Sequence, residues 1–192
     1  MSPPALIVLC GLPGAGKSRL ARELSARAPV TVISADRVRR ILVSQPAYSD
    51  QEHAFVHAVC HRLARRGLDE GRTVALDSTN LRQQHRQRFL GLADRYHVPC
   101  HVVHVECEEA TIRSRLRRRM RGEGTDGSTA DERVYELLRE TEEPVREPCV
   151  RVRGDGDVTT AARTVLSLLR PEGVALPMYQ SPAWARPTTA GI

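Results

Sequence analysis

The chain has 192 residues, enough for one domain with a sizeable core. Its apolar fraction of 41% and charged fraction of 27% are those of a globular protein, and no apolar run approaches a membrane span. A net charge of +6 suits anionic ligands, while an aromatic fraction of 4% excludes a dense platform for stacking single-stranded bases.

Residues 5–10, ALIVLC, read as a buried strand closed by glycine. Residues 18–28 follow as a helix with Leu20, Ala21, Leu24 and Ala28 on one face. A second strand is predicted at 30–34, a helix at 36–43 and a loop at 47–50. Residues 51–66 read as a helix whose apolar stripe is Phe55, Ala58, Val59 and Leu63. A third strand at 73–77, a helix at 82–96, a fourth strand at 101–105 and a basic helix at 108–121 come next. The segment 122–128 has loop composition, 129–140 is helical, 149–153 is a fifth strand and 158–170 a closing helix. Short apolar strands alternating with amphipathic helices predict an α/β fold with a parallel sheet. The tail 171–192, with four prolines, is expected to be poorly ordered. Cys10, Cys60, Cys100, Cys107 and Cys149 are odd in number and form no C-x-x-C pair, which suits reduced thiols and a cytoplasmic protein.

Between the first strand and its helix, Gly11-Leu12-Pro13-Gly14-Ala15-Gly16-Lys17-Ser18 matches G-x-x-x-x-G-K-[ST]. Glycines let the backbone turn so that its N–H groups face phosphate oxygens. The helix that follows adds free amides and the positive end of its dipole. Lys17 is the one lysine among 29 cationic side chains. A compact ammonium on a flexible stem fits such a loop where a planar guanidinium does not. Ser18 supplies a hydroxyl for Mg²⁺. The motif implies a bound nucleoside triphosphate with Mg²⁺ and is silent on the fate of the γ-phosphate.

Asp36 stands just past the carboxyl end of the second strand, where parallel sheets place their ligands. It either accepts a proton from an attacking hydroxyl or caps a helix. Arg39, one turn later, shares its face. Asp77 ends the third strand, where an acid is the expected partner of nucleotide-bound Mg²⁺ or else a turn cap. Arg113 and Arg117, four apart on a basic helix, read as lid arginines, or else as a solvated face or nucleic-acid patch.

The segments GLPGAGKSRLA, SADRVR, LDSTNLRQQHR and VECEEATIRSRLRRR, in this order, resemble the P-loop kinases grouped with polynucleotide 5′-hydroxyl kinases, zeta-toxin-like kinases and related AAA_33-type ATP-binding proteins. The resemblance spans about residues 5–170. It implies a three-layer P-loop fold with a five-stranded parallel sheet in the order 2-3-1-4-5 and a helical lid at about 113–135. It places ATP on Gly11, Pro13, Gly14, Ala15, Gly16, Lys17, Ser18 and Arg19, with Arg113 and Arg117 closing on the phosphates. Ser18 and Asp77 would hold Mg²⁺, Asp36 would be the general base, Arg39, Thr79 and Asn80 would line the acceptor side, and Arg86 would contact substrate or structure nearby. The expected acceptor is a 5′-hydroxyl of RNA or DNA. The same scaffold also resembles small-molecule kinases for sugars, nucleosides, antibiotics and sugar nucleotides. A nucleotide-binding switch or ATPase is the reading of another class. Ser114 departs from the asparagine that the polynucleotide kinases tend to carry, and the chain has no room for their phosphatase or ligase module.

Other features are weighed and set aside. GDGDVT at 154–159 matches a phosphatase nucleophile signature, but too few residues follow it, and a turn ending in a helix cap explains it better. His53, His57 and His61 share one helical face and read as a solvated or acceptor-facing row rather than a metal site. His101 and His104 alternate across their strand and cannot chelate together. Tyr179 and Trp184 could dock the tail.

Overall fold

The computed structural model describes residues 3–122 and 132–169. The predicted tail at 171–192 and most of the predicted loop at 122–128 lie outside the described residues. The order is β1 (Leu6–Cys10), α1 (Lys17–Arg27), β2 (Val30–Ser34), α2 (Ala35–Leu42), α3 (Asp50–Asp69), β3 (Thr73–Asp77), α4 (Gln83–Arg95), β4 (Cys100–Glu106), α5 (Glu109–Met120), α6 (Glu132–Arg139), β5 (Cys149–Arg153) and α7 (Val158–Ser167). The strands form one parallel sheet in the order β2-β3-β1-β4-β5, as expected.

Period-two alternation splits β1 between two cores. Leu6, Val8 and Cys10 face α2, α3 and α4, where Val56, Cys60, Ala64, Phe89 and Leu90 pack on them. Ile7 and Leu9 face the other layer, with Leu20, Leu24, Ile112, Leu116, Tyr135 and Val165. All five residues of β1 are buried, as a central parallel strand requires. Edge strand β5 keeps Arg151 and Arg153 exposed, which blunts it against further pairing.

Helix α3 corrects the sequence reading. Phe55 and Leu63 are 53% and 41% exposed, and Ala58 is exposed too. Of the predicted stripe only Val59 touches the core. The face turned inward is Val56, His57, Cys60, Ala64, Gly67 and Leu68. Small residues there let the helix lie close on the sheet: a Cβ at Gly67 would come 2.6 Å from Val74 Cγ2. The bulkier stripe offers the same helical period but cannot approach so closely.

The turn reading of GDGDVT holds. Asp157 caps α7, accepting from the amides of Thr159 and Thr160 at 3.2 and 2.9 Å. The described cysteines are all free, and burial pushes the thiols of Cys10 and Cys60 up to about 12. No helix among the described residues is long and apolar enough to cross a membrane.

Candidate active site

The parallel sheet brings the ends of β1, β2 and β3 to one edge. There a cavity is lined by Pro13, Gly14, Gly16, Lys17, Ser18, Asp36, Arg39, Asp77 and Thr79, joined by Tyr48, His53, Arg119, Val134 and Leu138. Its closed space is small, about 50 Å³, and it opens to solvent at its mouth. The loop before α1 turns through positive φ at Gly11, Gly14 and Gly16. Helix α1 starts at Gly16 with no side-chain cap, so its first amides remain for a ligand. From behind, Arg115 holds the loop, donating to the carbonyls of Gly14 at 3.0 Å and Gly154 at 2.9 Å.

Lys17 is 7% exposed and donates to the Leu12 carbonyl at 2.8 Å. Burial lowers its pKa, and the charges of Asp77 and Asp36 oppose that shift. Asp77 is equally buried, and desolvation raises its carboxyl despite Lys17 and the hydroxyls of Ser18 and Ser34, which donate to it. Strand register explains the second hydroxyl, because Ser34 is paired directly with Asp77. A buried carboxylate bonded to a P-loop hydroxyl is a hard-oxygen donor set, and it fits Mg²⁺.

Asp36 sits in the first turn of α2, one-third exposed, 3.2 Å from Arg39. Arg39 is 4% exposed, and its guanidinium is held by several partners. Its Nε donates to Glu52 at 2.6 Å, one terminal nitrogen meets His53 Nδ1 at 3.2 Å, and its Cζ lies 4.6 Å from the Tyr48 ring centre. Burial alone would raise Glu52, but the amides of Ala47 and Tyr48 and the Arg39 charge hold its carboxyl low. Sequence reading does not single out Glu52 or Tyr48, whereas His53 belongs to the histidine row read as solvated or acceptor-facing. The signal was present in Ser49, which caps α3, and in Glu52 three residues later.

Several expected site residues do other work. Asn80 is fully buried, with its amide donating to the Leu9 carbonyl at 2.7 Å, so it joins β3 to β1 and does not line the cavity. Arg86 is also fully buried. It bonds Glu147 and the carbonyls of Asn80, Leu81 and Pro144, the structural of its two expected contacts. Arg113 pairs with Glu109 and Glu136 and lies over Tyr135, while Arg117 pairs with Glu132. Both bind α5 to α6 and neither lines the cavity; Arg119, from the same helix, does. The Arg19 side chain is exposed and off the cavity, whereas Gly11 and Ala15 shape the loop from beneath.

The histidine row divides. His57 is buried and stacks on His85 with ring centres 4.4 Å apart, so it is not solvated. His61 lies near Phe89, and only His53 reaches the cavity. Among the described residues no cluster of His, Cys, Asp or Glu is arranged to hold a metal ion. A second cavity adjoins the first through Tyr48, His53, Thr79 and Leu138, and adds Asp50, Leu81, Arg82, His85, Leu137 and Thr141.

The AAA_33 model, described as an AAA domain, matches residues 6–145. No curated protein matches the sequence. Among solved structures, the chain is similar to the Mycobacterium tuberculosis APS kinase CysC in complex with AMPPNP and APS, at 18% identity and a TM-score of 0.68, covering 88% of this chain and 99% of that one. Kti12 of Chaetomium thermophilum in complex with ADP-AlF3 matches at 21% identity and 0.67, covering 86% and 99%. A gluconokinase from Sinorhizobium meliloti matches at 18% and 0.64, covering 88% and 93%. At these identities the likeness is one of fold.

Proposed function

The chain belongs to the AAA_33 family, and on that premise we propose that it is a kinase moving the γ-phosphate of ATP to a hydroxyl of a small molecule rather than of a polynucleotide. The observation that carries this is the common cavity: Lys17 and Ser18 of the phosphate loop, Asp77 and the Asp36 carboxylate all line it. A storage site for nucleotide needs no carboxylate opposite the phosphates. Similarity to structures described as an APS kinase and a gluconokinase supports the same reading.

ATP would lie across residues 11–18. Ser18 and Asp77 would hold Mg²⁺, which would supply positive charge against the phosphates. The acceptor hydroxyl enters beside Asp36. Its oxygen bonds to the γ-phosphorus as the bond from that phosphorus to the β-bridging oxygen breaks, and ADP departs. Asp36 takes the hydroxyl proton. Arg39 orients Asp36, and Lys17 with Arg119 offsets charge on the phosphoryl oxygens. Residues 113–135 would act as the lid, with Arg119 in the role expected of Arg113 and Arg117.

The second cavity supports the choice of acceptor. Its charged side chains are Arg82 and Asp50, which pair at 3.3 Å, beside threonines, leucines and imidazoles. Arg39 is already neutralised by Asp36 and Glu52. A polyanion finds no uncompensated cation among the residues lining this cavity. The polynucleotide reading is favoured instead by the segments SADRVR and LDSTNLRQQHR and by the net charge.

Incubation with γ-labelled ATP, Mg²⁺ and a panel of sugars, sugar acids, nucleosides and 5′-hydroxyl oligonucleotides tests this. Label on a small molecule, insensitive to salt, is expected. Label on oligonucleotides alone, falling steeply with salt, would establish the polynucleotide acceptor. Free phosphate alone would mean an ATPase or switch.

A further inference from the structure

His53 occupies an unusual electrostatic position. It lies in the first turn of α3, lines both cavities, and meets the Arg39 guanidinium through Nδ1 at 3.2 Å. A guanidinium has only donors, so Nδ1 must accept. An imidazole that accepts at Nδ1 is neutral and carries its proton on Nε2. Burial and the Arg39 charge both lower its pKa, which agrees with that neutral form. Nε2 is itself buried and has no hydrogen-bond partner among the described residues. A buried N–H left unbonded is costly, so its retention calls for an explanation.

We infer that His53 is a specificity residue whose Nε2–H donates to an oxygen of the acceptor at the junction of the two cavities. The inference rests on the kinase reading and deepens it. Arg39 fixes the tautomer, the tautomer makes His53 a donor only, and a donor without charge selects a hydroxyl or carbonyl oxygen over a cationic group. The same guanidinium orients Asp36 at 3.2 Å. Arg39 therefore ties the acceptor contact to the group that deprotonates the acceptor.

Two substitutions separate this role from a structural one. His53→Asn keeps an acceptor near Nδ1 for Arg39 but loses the Nε2 donor. His53→Gln places an amide donor near the Nε2 position and weakens the Arg39 contact. With the best acceptor from the panel, His53→Asn is expected to raise the acceptor KM about three- to tenfold, the worth of one hydrogen bond, and to leave the ATP KM unchanged. His53→Gln should recover part of that loss. The reverse ranking, with Asn like wild type and Gln impaired, would overturn the inference in favour of simple support of Arg39. Nitrogen-15 NMR of the histidine side chains gives a readout free of turnover. Wild-type His53 should show a protonated Nε2 and a bare Nδ1 at pH 7, and the Nε2 signal should move when D-ribose, D-gluconate or the best acceptor is added. A protonated Nδ1, or an Nε2 signal unmoved by every panel compound, would overturn it. Transfer that proceeds with no His53 effect removes this inference alone. Free phosphate without transfer to any compound removes the kinase reading and this inference with it.

Discussion

Arg39 and Glu52 meet at 2.6 Å with less than a tenth of either side chain exposed. The second Glu52 oxygen accepts from the amides of Ala47 and Tyr48 at 2.7 and 3.1 Å. One carboxylate thus holds both the loop before α3 and the guanidinium that orients Asp36. Removing one partner of a buried pair strands the other. Glu52→Ala is therefore expected to cost about 3 kcal/mol by urea denaturation and to slow transfer, with Glu52→Gln milder on both counts. Loss of activity at unchanged stability would mean that Glu52 acts on the acceptor directly.

Lys17 and Asp36 are assigned different tasks, so their variants should differ in kind. Lys17→Ala should weaken ATP binding about ten- to a hundredfold by calorimetry, as loss of charge-assisted bonds does. Asp36→Asn should bind ATP normally yet lose transfer by on the order of a hundredfold or more, the contribution of a general base. Equal losses of ATP affinity would remove Asp36 from that role.

Gly154, at the end of β5, abuts the phosphate loop. A Cβ there would lie 1.7 Å from the Ala15 carbonyl oxygen and 2.9 Å from Val105 Cγ1. Backbone has to yield, so Gly154→Ala is expected to destabilise by about 1–3 kcal/mol and to weaken nucleotide binding as the loop shifts. Gly91 is the control. It lies within α4, and a Cβ would meet nothing within 4 Å. Gly91→Ala should add about 1 kcal/mol through helix propensity alone and leave nucleotide affinity unchanged. Thermal melts with and without ATP distinguish the two.

Burial pushes His57 down to about 3 from its ordinary 6.5, helped by the neighbouring His85, and pushes His85 down to about 4. Unfolded, both take up protons near 6.5, while the folded chain refuses them. The stability involved is fully present above that pH and is lost as pH falls toward the folded values. For deeply buried His57 the slope approaches about 1.4 kcal/mol per pH unit; His85, half-exposed, contributes less. Urea denaturation should show stability falling between pH 6.5 and 4. His57→Phe keeps ring contact with His85 and Phe89 and should flatten the fall. An unchanged slope would mean that His57 protonates in the folded state.

Local pattern settled the phosphate loop, the strand bounds and the parallel α/β class. Each rests on interactions among near neighbours: an apolar run, a glycine turn, a capped helix. Lys17, Ser18, Asp36 and Asp77 were legible because a strand end carries its residues to the ligand edge of any parallel sheet. What the sequence left open depends on how helices roll against that sheet. The face of α3 was decided by the close approach of Gly67 to Val74, which no periodicity reveals. The same docking sent Arg119 rather than Arg113 and Arg117 to the cavity, and turned Asn80 and Arg86 into buried pins. It also set His53 against Arg39, since that contact joins two helices whose relative placement is fixed only by packing.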